Sequence, residues 1–177
     1  MAGGPVPSGA PAQLTSADRR AVRATAAAML ERTAAGDHHG AHRMGRMVHA
    51  RFGERGVALL MAAWAQEIVE HAPAPVRNAF DRVQPQLVLP PAQLDEVVAA
   101  AGEGWSGSSP HAPATAEQHY ARLGDYLTAV QRQDTGAANQ LVRQANADHP
   151  TDAPVLFELL RVTAAGYTRQ TPDLETS

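Results

Sequence analysis

Two stretches of this chain, 57–72 and 155–167, are apolar on nearly every side when wound into a helix, and each closes a similar passage of sequence. In both passages an alanine-rich amphipathic segment comes first, then a segment introduced by an aspartate, then the apolar one. A helix without a polar face has to be surrounded, by neighbours in a bundle or by another chain. The doubling predicts an all-α fold: two similar three-helix units forming a helical bundle, joined by a Pro/Gly-rich connector with two short helices.

Composition agrees. About a fifth of the 177 residues are alanine, the best helix former, whereas aromatic residues make up 5%, so propensity summed over long windows favours helix over sheet. A chain of this length buries roughly two-thirds of its unfolded surface and folds without help. All fifteen basic residues are arginine, which beside so much Ala, Gly and Pro reflects a GC-rich genome rather than a selected chemistry. With no cysteine, disulfides, thiolate metal sites, iron–sulfur clusters and a cysteine nucleophile are excluded.

The local signals divide the chain at 14, 72, 114 and 169. Residues 1–14, rich in Gly and Pro, have the composition of a disordered tail. The N-terminal unit spans 15–72. Thr15 and Asp18 stand at capping-box spacing, and Val22, Ala26, Met29, Leu30 and Thr33 recur on one face up to Gly36. Asp37 caps a second helix reaching about Phe52, with Ala41, Met44, Val48 and Phe52 inward and Gly53 as its stop. The third helix, about 54–71, turns Val57, Leu60, Met61, Trp64 and Ile68 inward. Residues 73–114 are the connector, with short helices expected near 76–83 and 92–101 and a Gly/Ser-rich linker after Gly102.

The C-terminal unit covers 115–169, leaving 170–177 as a second tail. Thr115 and Gln118 repeat the capping-box spacing before Tyr120, Leu123, Leu127 and Val130. Asp134 or Thr135 caps the next helix, and Asp152 caps the last, whose first turn accommodates Pro154. Shifted by 97 positions the units align without gaps, Leu30 on Leu127, Asp37 on Asp134, Ala41 on Ala138, Arg46 on Arg143 and Leu59 on Leu156.

Functional signals are sparse. The second helix places His39, Arg43 and Arg46 on one side, with His38, His42 and His49 beside them and no acid among them. A surface made only of donors suits an acidic partner, an anionic ligand or a phosphate backbone. His38 and His42 share a helical face, but His49 lies about 10 Å further along the axis, and two ligands do not make a metal site. No G-x-S-x-G, H-E-x-x-H or phosphate-loop pattern occurs. No metal, no cofactor and no catalytic residue is expected. A site assembled between the units from His119, Tyr120, Asp125 or His149 is the residual enzymatic possibility.

The leading expectation is a non-enzymatic interaction or adaptor protein that binds an acidic or helical protein partner, or itself, through His39, His42, Arg43, Arg46 and His49, with Leu59, Trp64, Phe157 and Leu160 as interface residues. The alternative is a regulator that holds nucleic acid or a small anion on the same Arg/His face, although an overall pI near 6.2 argues against nucleic acid. Residues 1–72 carry eight arginines against six acids, and 73–177 seven against twelve, so attraction between unlike ends is available. No apolar run approaches the ~20 residues that span a bilayer, and 1–12 lack a signal-peptide pattern, so a cytoplasmic protein without membrane insertion is expected.

Overall fold

The computed structural model describes residues 13–80, 91–102, 107 and 109–168, and these form helices with no strand among them. In chain order they are α1 (Ser16–Ala34), α2 (His38–His71), α3 (Ala74–Arg77), α4 (Pro91–Gly102), α5 (Ala116–Gln131), α6 (Thr135–Asp148) and α7 (Asp152–Thr168). The all-α bundle read from periodicity is what the chain forms.

The helix ends follow from the capping residues. The Thr15 side chain accepts the Asp18 N–H, and the Asp18 carboxylate accepts the Thr15 N–H at 3.0 Å, closing a capping box at the start of α1. Thr115 and Gln118 do the same for α5. At the end of α1 the chain enters the left-handed region at Gly36 (φ +83°), which lets Gly36 N–H reach the Thr33 carbonyl and Asp37 N–H the Arg32 carbonyl. Asp37 then accepts the Gly40 N–H at 2.8 Å and starts α2. Between α5 and α6 the same bonds recur 97 positions later: Gln133 has φ +58°, its N–H reaches Val130, Asp134 N–H reaches Ala129, and the Asp134 carboxylate accepts Ala137 N–H. Gln133 adopts a backbone conformation that glycine occupies in the first turn, at a steric cost glycine avoids.

Helix α2 is two helices in sequence terms. Gly53 (φ 63°, ψ −157°) interrupts it, dividing a first arm, 38–52, from a second, 54–71. The chain reverses there: a Cβ on Gly56 would lie 3.0 Å from Val48 Cγ1, eight residues back, a separation of about 12 Å in a straight helix. The first arm descends beside α1, bringing Arg51 to the field of Asp18. The second returns in the direction of α1, where the Trp64 indole N–H donates to the Ala26 carbonyl at 3.2 Å.

α7 is the central element. It packs against α1, α2, α4, α5 and α6, and Val155, Leu156, Leu159, Leu160, Ala164 and Ala165 along it are buried. The Phe157 ring meets Trp64 edge-on, centroids 4.8 Å apart. Packing between the third and sixth sequence helices is therefore present, but α7 also lies against α1 and the first arm, where Gly45 gives Phe157 room. Trp64, Met29, Leu60, Met61, Leu123 and Leu159 are fully buried, each worth about 1.5–3 kcal/mol of transfer free energy.

Three local expectations change. The helix expected near 76–83 is the single turn α3, followed by a turn that buries Phe80, and 81–83 lie outside the described residues. Phe80 approaches α5 so closely that a Cβ on Gly124 would stand 2.4 Å from its carbonyl oxygen. Asp152 does not cap α7: the Thr151 carbonyl accepts the first helical N–H, from Val155, while the Asp152 carboxylate turns to Ala114 N–H (3.1 Å) and Arg122 (2.6 Å). The Arg122 guanidinium is itself charged, whereas a cap N–H is neutral, so the ion pair draws the side chain there. The gapless alignment also slips after Gly53, since Leu59 is half-buried where Leu156 is fully buried. Residues 1–12 of the first tail, 103–106 and 108 of the linker, and the second tail lie outside the described residues. No helix among those described is long and apolar enough to cross a membrane.

Candidate interaction face

The first arm of α2 buries Ala41, Gly45 and Val48 and half-buries Met44 and Phe52. What remains is an exposed arc of His38, His39, His42, Arg43, Arg46, Met47, His49, Ala50 and Arg51. The five residues singled out from sequence, His39, His42, Arg43, Arg46 and His49, thus share one solvent-facing surface without a carboxylate in it. Among the described residues, Arg43 and Arg46 have no carboxylate within ion-pair distance. Arg51 lies over the Phe52 ring at 4.9 Å, holding its guanidinium near the helix surface. His42 is the inward edge of the face, its Nδ1 3.4 Å from Glu158 Oε1.

Met47 was not anticipated. It is the large hydrophobic side chain that stands exposed among the described residues, at 70%, with Arg43 one turn before it and Arg51 one turn after. The signal in the sequence was a methionine on the polar side of an amphipathic helix, four residues from an arginine in each direction. Asp37 at the head of the arm is occupied: the Gly40 N–H and then the Arg32 guanidinium, at 2.6 Å, hold its carboxyl below the usual carboxylate range. The cationic character of the face therefore persists up to the cap.

The proposed interface residues divide. Trp64 and Leu160 have no exposed surface, Phe157 is half-buried against Trp64, and Leu59 is half-buried at the surface between α1 and the second arm. Trp64 and Leu160 belong to the bundle interior and have no surface to offer a partner.

His119, Tyr120, Asp125 and His149 fall in different settings. His119 and His149 are buried on α5 and at the α6–α7 junction, whereas Asp125 is exposed in a shallow hollow with Thr128, Arg132 and Asp134. Burial holds His119 below the usual histidine range, against the opposing pull of Asp152. Arg122 bridges Asp152 at 2.6 Å and Asp148 at 2.5 Å, and His149 Nδ1 accepts the Thr151 N–H at 3.2 Å. These groups tie the linker end, α5, α6 and α7 to one another, each carboxylate taken by a donor.

A buried ionic cluster escaped the sequence reading. Arg161 (2% exposed) on α7 donates to Glu158 (5% exposed) one turn earlier and to the Thr33 hydroxyl on α1. Its signal was an acid and an arginine three apart in an otherwise apolar helix. Among the described residues no group of three or more His, Asp or Glu is placed to hold a metal ion. No known family, curated protein or solved structure matches the chain.

Proposed function

We propose that this chain is a non-enzymatic interaction protein that holds an acidic, amphipathic segment of a partner protein on the first arm of α2. The observation that carries this reading is the exposed Met47 set between Arg43 and Arg51, in an arc with Arg46 and four histidines and no acid. Burying a methionine contributes about 1.5–3 kcal/mol, and each exposed ion pair adds about 0.2–1 kcal/mol. Affinity then rests on the hydrophobic anchor, while the cations give steering, orientation and salt dependence.

The test is fluorescence anisotropy at low and at physiological salt with two probes, a labelled Glu/Leu-rich peptide and a DNA duplex. Binding of the peptide that is weakened about tenfold or more by Met47→Asp, and that loses its salt dependence and weakens in Arg43→Glu/Arg46→Glu, supports the proposal, since ~1.4 kcal/mol corresponds to a factor of ten. Peptide binding insensitive to all three changes refutes it. Preference for the duplex, unaffected by Met47→Asp, transfers the face to nucleic-acid binding.

A further inference from the structure

A second surface, distinct from the first arm, has a symmetry of its own. Between α1 and the second arm of α2 runs an open groove of about 1290 Å³, with the α5–α6 turn (Gln133, Thr135, Asn139) at its border. Between the two helices its apolar lining includes Ala27, Leu30, Ala58, Leu59, Ala62 and Ala63, and Tyr126, Val130 and Ala138 add to it from α5 and α6. On the second arm positions 55, 59, 62 and 66 line it, and on α1 positions 19, 23, 26 and 30. Alternating steps of four and three are the spacing with which one helix seats against another. Small side chains on both helices leave space for a further layer.

Charge on this surface is segregated by position. Arg19 and Arg23 lie in the first half of α1, with Arg55 at the start of the second arm, whereas Glu31, Glu67 and Glu70 lie in the later halves. Because the two helices run in the same direction, the surface is basic at one end, alanine-lined in the middle and acidic at the other. Arg19 and Glu31 are about 18 Å apart along α1, and Arg55 and Glu67 are about 18 Å apart along the second arm. One two-fold axis, through the alanines near 26 and 62, therefore exchanges the basic and acidic ends of both helices at once.

We infer that this face is an isologous dimer interface whose occupant is a second copy of the same chain, with Arg19 and Arg23 of one protomer opposite Glu31 on α1 of the other copy, and Arg55 opposite Glu67 and Glu70 on its second arm. Such a surface is complementary to itself under a two-fold rotation, which is the requirement a closed dimer places on an interface. Glu67 meets His71 at 3.4 Å, and Glu70 accepts from Gln66 at 2.7 Å, so each carboxylate keeps acceptor capacity for a guanidinium from outside. Each helix face is about 22 Å long and about 10 Å wide, a footprint in the class of weak, transient interfaces, so a reversible equilibrium is expected.

Sedimentation equilibrium of the full chain from about 1 to about 300 µM reads this out. The wild type shows a reversible monomer–dimer equilibrium that weakens as salt is raised. Arg19→Glu/Arg23→Glu, which sets acids against Glu31, and Glu31→Arg, which sets a base against Arg19 and Arg23, are each at least tenfold weaker as homodimers. Mixed one to one, they pair as a heterodimer at wild-type strength. A chain carrying all three substitutions dimerises again, which separates loss of the interface from loss of folding. A strict monomer at every concentration, a dimer indifferent to both reversals, or reversed variants that do not pair on mixing would each overturn the inference.

Discussion

The buried pair on α7 gives the sharpest test of how this bundle is held. Arg161 and Glu158 are 2% and 5% exposed. The Thr33 hydroxyl donates to the Met29 carbonyl at 2.8 Å and uses a lone pair to accept from Arg161. Replacing Arg161 with leucine leaves the Glu158 carboxylate buried with the half-exposed His42 imidazole, 3.4 Å away, as its remaining polar side-chain contact. Stranding one charge of a buried pair costs about 3–5 kcal/mol, whereas removing both costs little or is even stabilising. Arg161→Leu and Glu158→Leu are each expected to lower the unfolding free energy by about 3 kcal/mol or more, and the double variant to return to within about 1 kcal/mol of wild type. In a chain of this length such a loss lowers the melting temperature by on the order of 10 °C. Urea unfolding followed by far-ultraviolet circular dichroism measures all four corners of the cycle, and these values imply a coupling of about 5 kcal/mol. Single variants near wild type, or a double variant equal to the sum of the singles, would refute the reasoning.

Two further tests address packing and pH. Gly124→Ala sets a methyl 2.4 Å from the Phe80 carbonyl; overpacking of about 1–3 kcal/mol exceeds the roughly 1 kcal/mol of helix propensity gained, so thermal melting shows a loss. Gly166→Ala meets open space and is neutral or stabilising by up to about 1 kcal/mol, so equal effects at the two sites would discount the Phe80 contact. His119 is held below its usual range mainly by burial, so the unfolded chain binds more protons than the folded one in acid. The stability it contributes is complete above about pH 6.5 and is lost as pH falls through the folded-state value, at no more than about 1.4 kcal/mol per pH unit. Urea titrations across this window check it, and His119→Gln should remove that part of the slope; a variant with an unchanged profile contradicts the assignment.

Where the sequence was legible, a local signal and the global fold agreed. Thr15, Asp37, Thr115 and Asp134 cap helices because their side-chain oxygens satisfy N–H groups a turn away, which needs nothing from the rest of the chain. Val22, Ala26, Met29, Leu30 and Thr33 are buried together because period alone determines which side of α1 faces inward. Legibility failed where a partner from another element decided the outcome. Asp152 has the residue type and position of a cap, yet Arg122, thirty residues earlier, draws its carboxylate away. Phe80 is buried because Gly124 leaves a gap on α5, a long-range fit with no periodic trace. On the first arm the cations could be placed on one face from spacing, but Met47 could be known as exposed only once the inward side was occupied by Ala41, Gly45 and Val48.

The placement of charge also bears on why a bundle of this composition has one arrangement. A helix as apolar as α7 gains almost as much buried area in one rotation as in the next, so hydrophobic burial discriminates poorly among them. Arg161 and Glu158 change this, since a turn of about 100° about the axis would take the guanidinium from Thr33 and leave an ion in apolar surroundings. Asp152 acts likewise at the helix start, where the Ala114 N–H and Arg122 hold α7 against the linker and α5. Ionic groups inside the bundle thus oppose misregistration, while Arg43 and Arg46 on the first arm form no ion pair among the described residues. Arg43 lies in the field of Asp37, whose carboxylate already accepts from the Gly40 N–H and Arg32. On the proposed function, the charge of this pair with Met47 beside it meets an acidic segment carrying an apolar side chain.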